Sequence, residues 1–226
     1  VLAAFGYNES FAGKEGLPAF RARLTKYLGD VRAKAYNGKV AARVVLISPI
    51  ANENVKGVAA ADRNNVNIKA YMEAMKEVAT EQKVGFVDAF TATKKAMASP
   101  GNDLTMNGAH LNEKGYQLFA STVFNQLFGK GAPRLDEKVR EAVVEKNRQH
   151  FFRYRPLNTF YYTGGRNRSY GYLDFLPAMR NFDIMTANRD KRIHALAQGK
   201  KVPAKIDDSN VPELPKTKQS RGANKW

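Results

Sequence analysis

The 226-residue chain is 43% hydrophobic, enough for one full α/β domain with an appendage, which excludes a wholly disordered polypeptide. Zero cysteines exclude disulfides, thiolate metal sites and cysteine nucleophiles; the three histidines, His110, His150 and His194, show no metal-ligand spacing, so neither metal nor cofactor is expected. The formal net charge of +16 lies mostly in the smaller C-terminal part, with 17 basic and 11 acidic residues in 1–130 against 20 and 10 in 131–226, so nucleic acid is not the expected partner.

Val1 to Phe5 reads as a buried strand ended by Gly6, and Leu17 to Tyr36 as a helix with Phe20, Leu24, Tyr27, Leu28 and Val31 at helical spacing, stopped by Asn37-Gly38. Ala42 to Ile47 is a nearly continuous β-branched run, as for a strand covered on both faces, and Pro49 ends it. The loop Ala51-Asn52-Glu53-Asn54 is polar; such loops are usually solvated, and the alternative reading has Asn52-Glu53-Asn54 lining the substrate pocket. Asp62 is expected to cap a helix running to about Gln82 with Ile68, Tyr71, Met72, Met75 and Val78 as its stripe. Val84 to Val87 is a third strand, Asp88 a cap for a short helix to Met97, and Pro100-Gly101-Asn102 a turn. Asn112 then caps a helix from Glu113 to Leu127, with Tyr116, Phe119, Ala120 and Val123 facing inward. The order β-α-β-α-β-α-α implies a mostly parallel sheet with right-handed crossovers and helices on both faces, with ligands beyond the carboxyl ends of the strands.

Two motifs lie where such a fold places chemistry. Gly6-Tyr7-Asn8-Glu9 follows the first strand, and Asn107-Gly108-Ala109-His110-Leu111-Asn112-Glu113-Lys114-Gly115-Tyr116 leads into the last helix of residues 1–130. A histidine moves protons near neutral pH, and an asparagine amide hydrogen-bonds a developing oxyanion, a pairing suited to acyl transfer.

At these motifs the chain resembles the GDSL-like, or SGNH, hydrolases, which are α/β/α serine esterases and lipases. Gly6-Tyr7-Asn8-Glu9 is similar to the family's Gly-x-Asn-Asp/Glu motif, and Asn107-Gly108-Ala109-His110 to its Asp-x-x-His motif. The resemblance covers residues 1–130 and implies a three-layer α/β/α, flavodoxin-like fold, here N-terminally truncated. It implies His110 as general base and Asn8 as oxyanion donor, with Gly6, Tyr7 and Glu9 flanking the substrate. An ester is the implied substrate, acylated carbohydrate included.

Two departures follow. The family's serine and second oxyanion-donor glycine belong to motifs that would precede Val1, so the chain reads as a fragment carrying half a site and inactive alone. Ser10 and Ser48 stand near strand ends without the context of a nucleophile elbow. Asn107 stands where the family has aspartate, and in a serine protease the analogous change costs about 10⁴ in rate. Either a Ser-His dyad operates with a backbone carbonyl orienting His110, or another carboxylate substitutes, Asp103 being nearest. If Val1 to Phe5 is an interior strand, an open hydrogen-bonding edge is also expected.

Residues 131–199 read as a basic, aromatic, mainly helical extension. A helix is expected from Leu135 to Phe152. Interleaved aromatic and basic residues follow in 151–156 and 160–166 and are expected to pack onto the neighbouring domain. A second helix is expected from Asn181 or Asp183 to Gln198, and 200–226 reads as a Pro/Lys-rich linker. Asp183 to Ile193 with Asp207-Asp208-Ser209-Asn210 resembles the segment after the hydrolase domain in multidomain bacterial envelope proteins. That resemblance implies export to the periplasm or envelope and further joined domains. The competing reading is a non-catalytic docking module whose basic tail binds acidic polysaccharide or another domain. No apolar run approaches the roughly 20 residues that span a bilayer.

Overall fold

In the computed structural model, which describes residues 1–99, 101–134, 136–155 and 172–215, the chain forms two compact units, Val1–Pro133 and Arg134–Trp226. The first unit runs β1 (Leu2–Ala4), 3₁₀ turns at Glu9–Ala12 and Lys14–Gly16, α1 (Leu17–Arg32), β2 (Val45–Ile47), α2 (Ala61–Glu81), β3 (Gly85–Val87), α3 (Ala89–Met97) and α4 (Glu113–Phe128). The β-α-β-α-β-α-α order is the one read from the sequence.

All three strands are parallel in the order β1-β2-β3, with Leu2, Ala3 and Ala4 opposite Val45, Leu46 and Ile47, and these opposite Gly85, Phe86 and Val87. Alternation along each strand divides the core between the sheet's faces. Ala3 and Leu46 pack with Phe20, Leu24 and Leu28 of α1 and Tyr71, Met75 and Val78 of α2. Ile47 and Val87, on the opposite face, meet Phe119, Val123 and Leu127 of α4. The result is an α/β fold with helices on both sides of a parallel sheet.

Several boundaries differ from the sequence reading for identifiable reasons. Helix α1 stops at Arg32, one residue after its last buried side chain, Val31. Asp62 lies in the first turn of α2 but does not cap it; instead the Asn54 Oδ1, seven residues upstream, accepts the Ala61 N–H at 2.9 Å. Asp88 and Asn112 do cap α3 and α4, accepting from Thr91 N–H and Gly115 N–H. In α4 the inward stripe is Phe119, Val123 and Leu127, whereas Tyr116 is 61% exposed and Ala120 is exposed as well. The Pro100 part of the expected turn lies outside the described residues.

Among the described residues β1 has β2 as its one strand neighbour. Its register puts Leu2 and Ala4 on the face shared with Val45 and Ile47, and both are exposed, Leu2 by 62%. Of all the residues of α4, Gly115 alone is fully buried. Apolar surface on this side of the sheet is therefore only partly covered.

The second unit contains α5 (Glu137–Tyr154) and α6 (Tyr172–Ala197). Their ion pairs, Arg153 with Asp183 and Glu145 with Arg189, run in opposite sequence directions, so the helices are antiparallel. Phe152 meets Phe182 within this unit (5.9 Å between ring centroids), and Arg155 lies over the Phe151 ring. The expected aromatic-basic stretch 160–166, with Leu135 and Pro156, lies outside the described residues. Residues 200–215, read as linker, are tied back to α6: Arg189 Nη1 donates to Asp208, Asn188 Nδ2 donates to Asp208 and Asn210, and Asn181 Nδ2 donates to the Pro212 carbonyl. Among the described residues no helix is long and apolar enough to cross a membrane.

Candidate active site

The chain leaves β1 through Gly6, whose φ of +98° suits glycine, and a Cβ there would press at 3.1 Å on both Met75 Sδ and Pro49 Cγ. Glu9 closes the turn, its Oε2 accepting the Gly6 N–H at 2.9 Å. Tyr7 is half-buried against the Ala51, Ile68, Met72 and Phe90 cluster, and burial pushes its hydroxyl above the ordinary tyrosine value. Asn8 opens the 3₁₀ turn with helical backbone angles; its side chain is exposed and does not cap that turn.

The two serines near strand ends are both buried and engaged. Ser10 Oγ donates to the Tyr7 carbonyl at 2.6 Å. Ser48 Oγ donates to the Pro49 carbonyl and accepts the N–H groups of Ala89 and Phe90 at 2.9 and 3.0 Å, holding the first turn of α3.

His110 is exposed on the loop before α4. Asn107 Oδ1 accepts the backbone N–H of His110 at 3.0 Å and of Ala109 at 3.2 Å. Two amide donors fix which end of the Asn107 carboxamide faces inward, and it is the oxygen. The same Oδ1 lies 3.0 Å from His110 Nδ1. A carbonyl oxygen only accepts, so this contact is a hydrogen bond when Nδ1 carries a proton, and in the neutral ring that leaves the Nε2 lone pair free, the tautomer a general base needs. Asn107 and His110 are thus brought together. The Asp103 carbonyl accepts from Asn112 Nδ2, so this residue's main chain supports the cap of α4.

The loop is anchored by Asn52 and Glu53, which are buried rather than solvated. Glu53 is only 6% exposed; its carboxylate accepts the Leu104 and Thr105 N–H groups and the Thr105 hydroxyl. Asn52, equally buried, donates from Nδ2 to the Gly108 carbonyl at 2.6 Å, and Asn65 brackets Asn52's main chain. Asn52 and Glu53 follow β2 as Asn8 follows β1, and these strands are adjacent and parallel. Asn8 and the His110 loop therefore both belong to the carboxyl edge of the sheet. A cleft of about 300 Å³ opens beside Asn52 and Glu53, with Asp62, Lys94 and Asp103 in its lining. Its largest apolar side chain among the described residues is Met97. No group of three or more His, Asp or Glu residues able to hold a metal occurs among the described residues.

No curated protein is similar enough to count as a match. Among solved structures, the chain is similar to a variant of Axe2, an acetyl-xylooligosaccharide esterase from Geobacillus stearothermophilus, at 17% identity and a TM-score of 0.46, covering 59% of this chain and 62% of that one. It is also similar to the lipase/acylhydrolase from Enterococcus faecalis, at 20% identity and a TM-score of 0.41, covering 60% of this chain and 64% of that one. The chain thus spans less than two thirds of the length of either. A family model, that of the GDSL-like lipase/acylhydrolase family, matches residues 1–118, more than half of the sequence. By that match the chain belongs to the GDSL-like lipase/acylhydrolase family.

Proposed function

We propose that this chain supplies the general base and one oxyanion donor of a serine-type ester hydrolase, with the nucleophile provided by residues outside it. The observation that carries the reading is the 3.0 Å contact between Asn107 Oδ1 and His110 Nδ1, which favours the neutral tautomer with Nε2 left to take a proton, on the same sheet edge as the uncommitted amide of Asn8. In the cycle His110 Nε2 removes the serine proton as the hydroxyl attacks the acyl carbon. It returns that proton to the departing alcohol, and water then repeats the sequence on the acyl-enzyme. Asn8 donates to the tetrahedral oxyanion, a contribution worth about 10²–10³ in turnover. Asn107 orients the imidazole without balancing its charge. Glu9 and Gly6 shape the turn that carries Asn8, and Tyr7 flanks the substrate.

The engagement of Ser10 and Ser48 in buried hydrogen bonds supports an external nucleophile, as does the bare apolar surface along β1 and α4. Substrate is an acyl ester, with acetylated carbohydrate among the esters proposed, in keeping with the GDSL-like lipase/acylhydrolase family to which the chain belongs. The bacterial periplasm or envelope is the proposed compartment, with further domains joined to the chain, on the likeness of Asp183 to Ile193 to the segment following such hydrolase domains.

The test compares p-nitrophenyl acetate hydrolysis by residues 1–226 with that by a longer parent polypeptide containing the serine motif, each with and without His110→Ala. The expected result is background rate for the short chain and a parent activity that His110→Ala abolishes. Parent hydrolysis unchanged by His110→Ala would remove the proposed base, and robust hydrolysis by residues 1–226 would remove the external nucleophile.

A further inference from the structure

We infer that Glu53 is a positioning residue for His110, an inference that rests on reading His110 as the base. Glu53 is 6% exposed, and no Lys, Arg or His forms a salt bridge with it among the described residues. A buried carboxylate without a counter-ion is costly unless directed donors satisfy it. Here every donor comes from the segment that opens the His110 loop: Leu104 N–H at 2.9 and 3.1 Å to the two oxygens, Thr105 N–H at 2.7 Å, and the Thr105 hydroxyl at 2.5 Å.

The constraint passes onward through defined bonds. Having donated its proton to Glu53, Thr105 Oγ accepts the Gly108 N–H at 3.0 Å. The Gly108 carbonyl is held by Glu53's own N–H at 2.9 Å and by Asn52 Nδ2 at 2.6 Å. Gly108 has φ +90°, and a Cβ there would come within 2.8 Å of the Glu53 carbonyl oxygen, so the two backbones are in direct contact. Met106 N–H to the His110 carbonyl (2.8 Å) and the Thr105–Leu111 bridge close the loop's far side. Asn107 and His110 sit between these fixed points, which is what keeps Asn107 Oδ1 on Nδ1. An amide in place of the carboxylate has one acceptor oxygen for three donors, so glutamine cannot reproduce the clamp. Packing alone would require neither the charge nor the convergence of all its donors on one loop.

The tautomer can be read without catalysis. In uniformly ¹⁵N-labelled residues 1–226 at alkaline pH, the His110 ring nitrogens should show Nδ1–H, assigned by their loss in His110→Ala. His150 and His194, in the other unit, serve as internal references. Glu53→Gln and Glu53→Ala should move His110 to the Nε2–H tautomer that dominates for a solvated imidazole, leaving the other two unchanged. If Glu53→Ala fails to fold, the isosteric Thr105→Val decides: it removes the relay while keeping volume, and should shift the tautomer as well, whereas Thr105→Ser should retain Nδ1–H. An Nδ1–H tautomer that persists in folded Glu53→Ala or Thr105→Val overturns the inference. In the longer, serine-containing polypeptide, Glu53→Gln should lower kcat by about tenfold or more with KM within about twofold. Should His110→Ala leave that polypeptide active while the tautomer still responds to Glu53, the base reading falls and the positioning stands.

Discussion

Ser48 is the residue on which a nucleophile assignment would most easily go wrong, because it is a serine just past the carboxyl end of a parallel strand. Its contacts predict that Ser48→Ala is a stability variant. The hydroxyl accepts from Ala89 and Phe90 N–H, both in the first turn of α3 and both in residues at most 2% exposed. Removing Oγ strands two amides that water cannot reach. A lost helix cap costs about 0.5–2 kcal/mol, and an unsatisfied buried group about 1–3 kcal/mol. Relaxation toward neighbouring acceptors offsets part of this, so about 2–3 kcal/mol is expected for the pair, since Asp88 still holds Thr91 N–H independently. In amide hydrogen exchange that is a loss of protection of about 30–150-fold across α3. The variant should retain its chemistry toward a fluorophosphonate probe, which is to say none: intact mass should show no adduct before or after substitution. An adduct mapped to Ser48 in the unsubstituted chain would refute the assignment, and so would α3 protection that changes by less than about twofold in Ser48→Ala.

Gly108→Ala forces a Cβ against the Glu53 carbonyl and Asn52 Nδ2 at a positive φ, and should cost about 2–4 kcal/mol in urea unfolding of the first unit, with loss of the His110 Nδ1–H signal. Asn107→Asp converts a neutral hydrogen bond to a charge-assisted one and should raise kcat of the serine-containing polypeptide by about tenfold, a gain of about 1–1.5 kcal/mol; an unchanged kcat would mean that Asn107 does not act through the imidazole. In the second unit, the Arg189 hydrogen bond holds the Glu145 carboxyl below the usual carboxylate range. A depressed folded value means stability present above the unfolded pKa of about 4.3 and lost as pH falls through the folded value, so unfolding of α5–α6 should steepen in acid below about pH 4. Arg189→Met should abolish that part of the acid dependence and cost about 1–3 kcal/mol at pH 7, the low end of a broken buried pair because both carboxylates keep some contact with water.

The first unit was legible where one physical signal dominated. The β-branched run ending at Ile47 reads as a strand covered on both faces and the short apolar one ending at Val87 as a third strand, and Asp88 and Asn112 stand one residue before apolar helices, where caps belong. The α2 cap was misplaced because Asn54 reaches its target across a loop, and sequence neighbourhood favours Asp62. The α4 stripe was drawn too wide because periodicity reports apolarity, whereas burial depends on what lies opposite, and only the Phe119, Val123 and Leu127 line meets the sheet. In the second unit the ties of 200–215 to α6 were invisible to composition: prolines and lysines read as linker, while the fastening is done by Asn181, Asn188 and Arg189 on the helix.

For the candidate site, the meeting of Asn107 and His110 is legible in the sequence, since an i to i+3 pair in one turn is a local fact. What holds that turn in place was not local. Glu53 and Leu104 are separated by 51 residues, and a glutamate flanked by asparagines after a strand ordinarily faces water. The reason it does not do so here lies in the sheet's parallel topology. A parallel sheet delivers the end of each strand to one edge, which sets the loop after β2 there, and the loop joining α3 to α4 packs against it with the Leu104 and Thr105 N–H groups directed at Glu53. One carboxylate can accept several of them at once. The same arithmetic bears on Asn107. With two backbone N–H donors on its single Oδ1 and His110 Nδ1 3.0 Å away, a neutral oxygen is placed to favour the Nδ1–H form, and on the proposed reading an aspartate would add charge balance for the imidazolium. On the proposed reading, orientation and charge compensation, which a single carboxylate supplies together in the Ser-His-Asp arrangement, are separable, with orientation falling to Asn107 and, through Thr105 and Gly108, to Glu53.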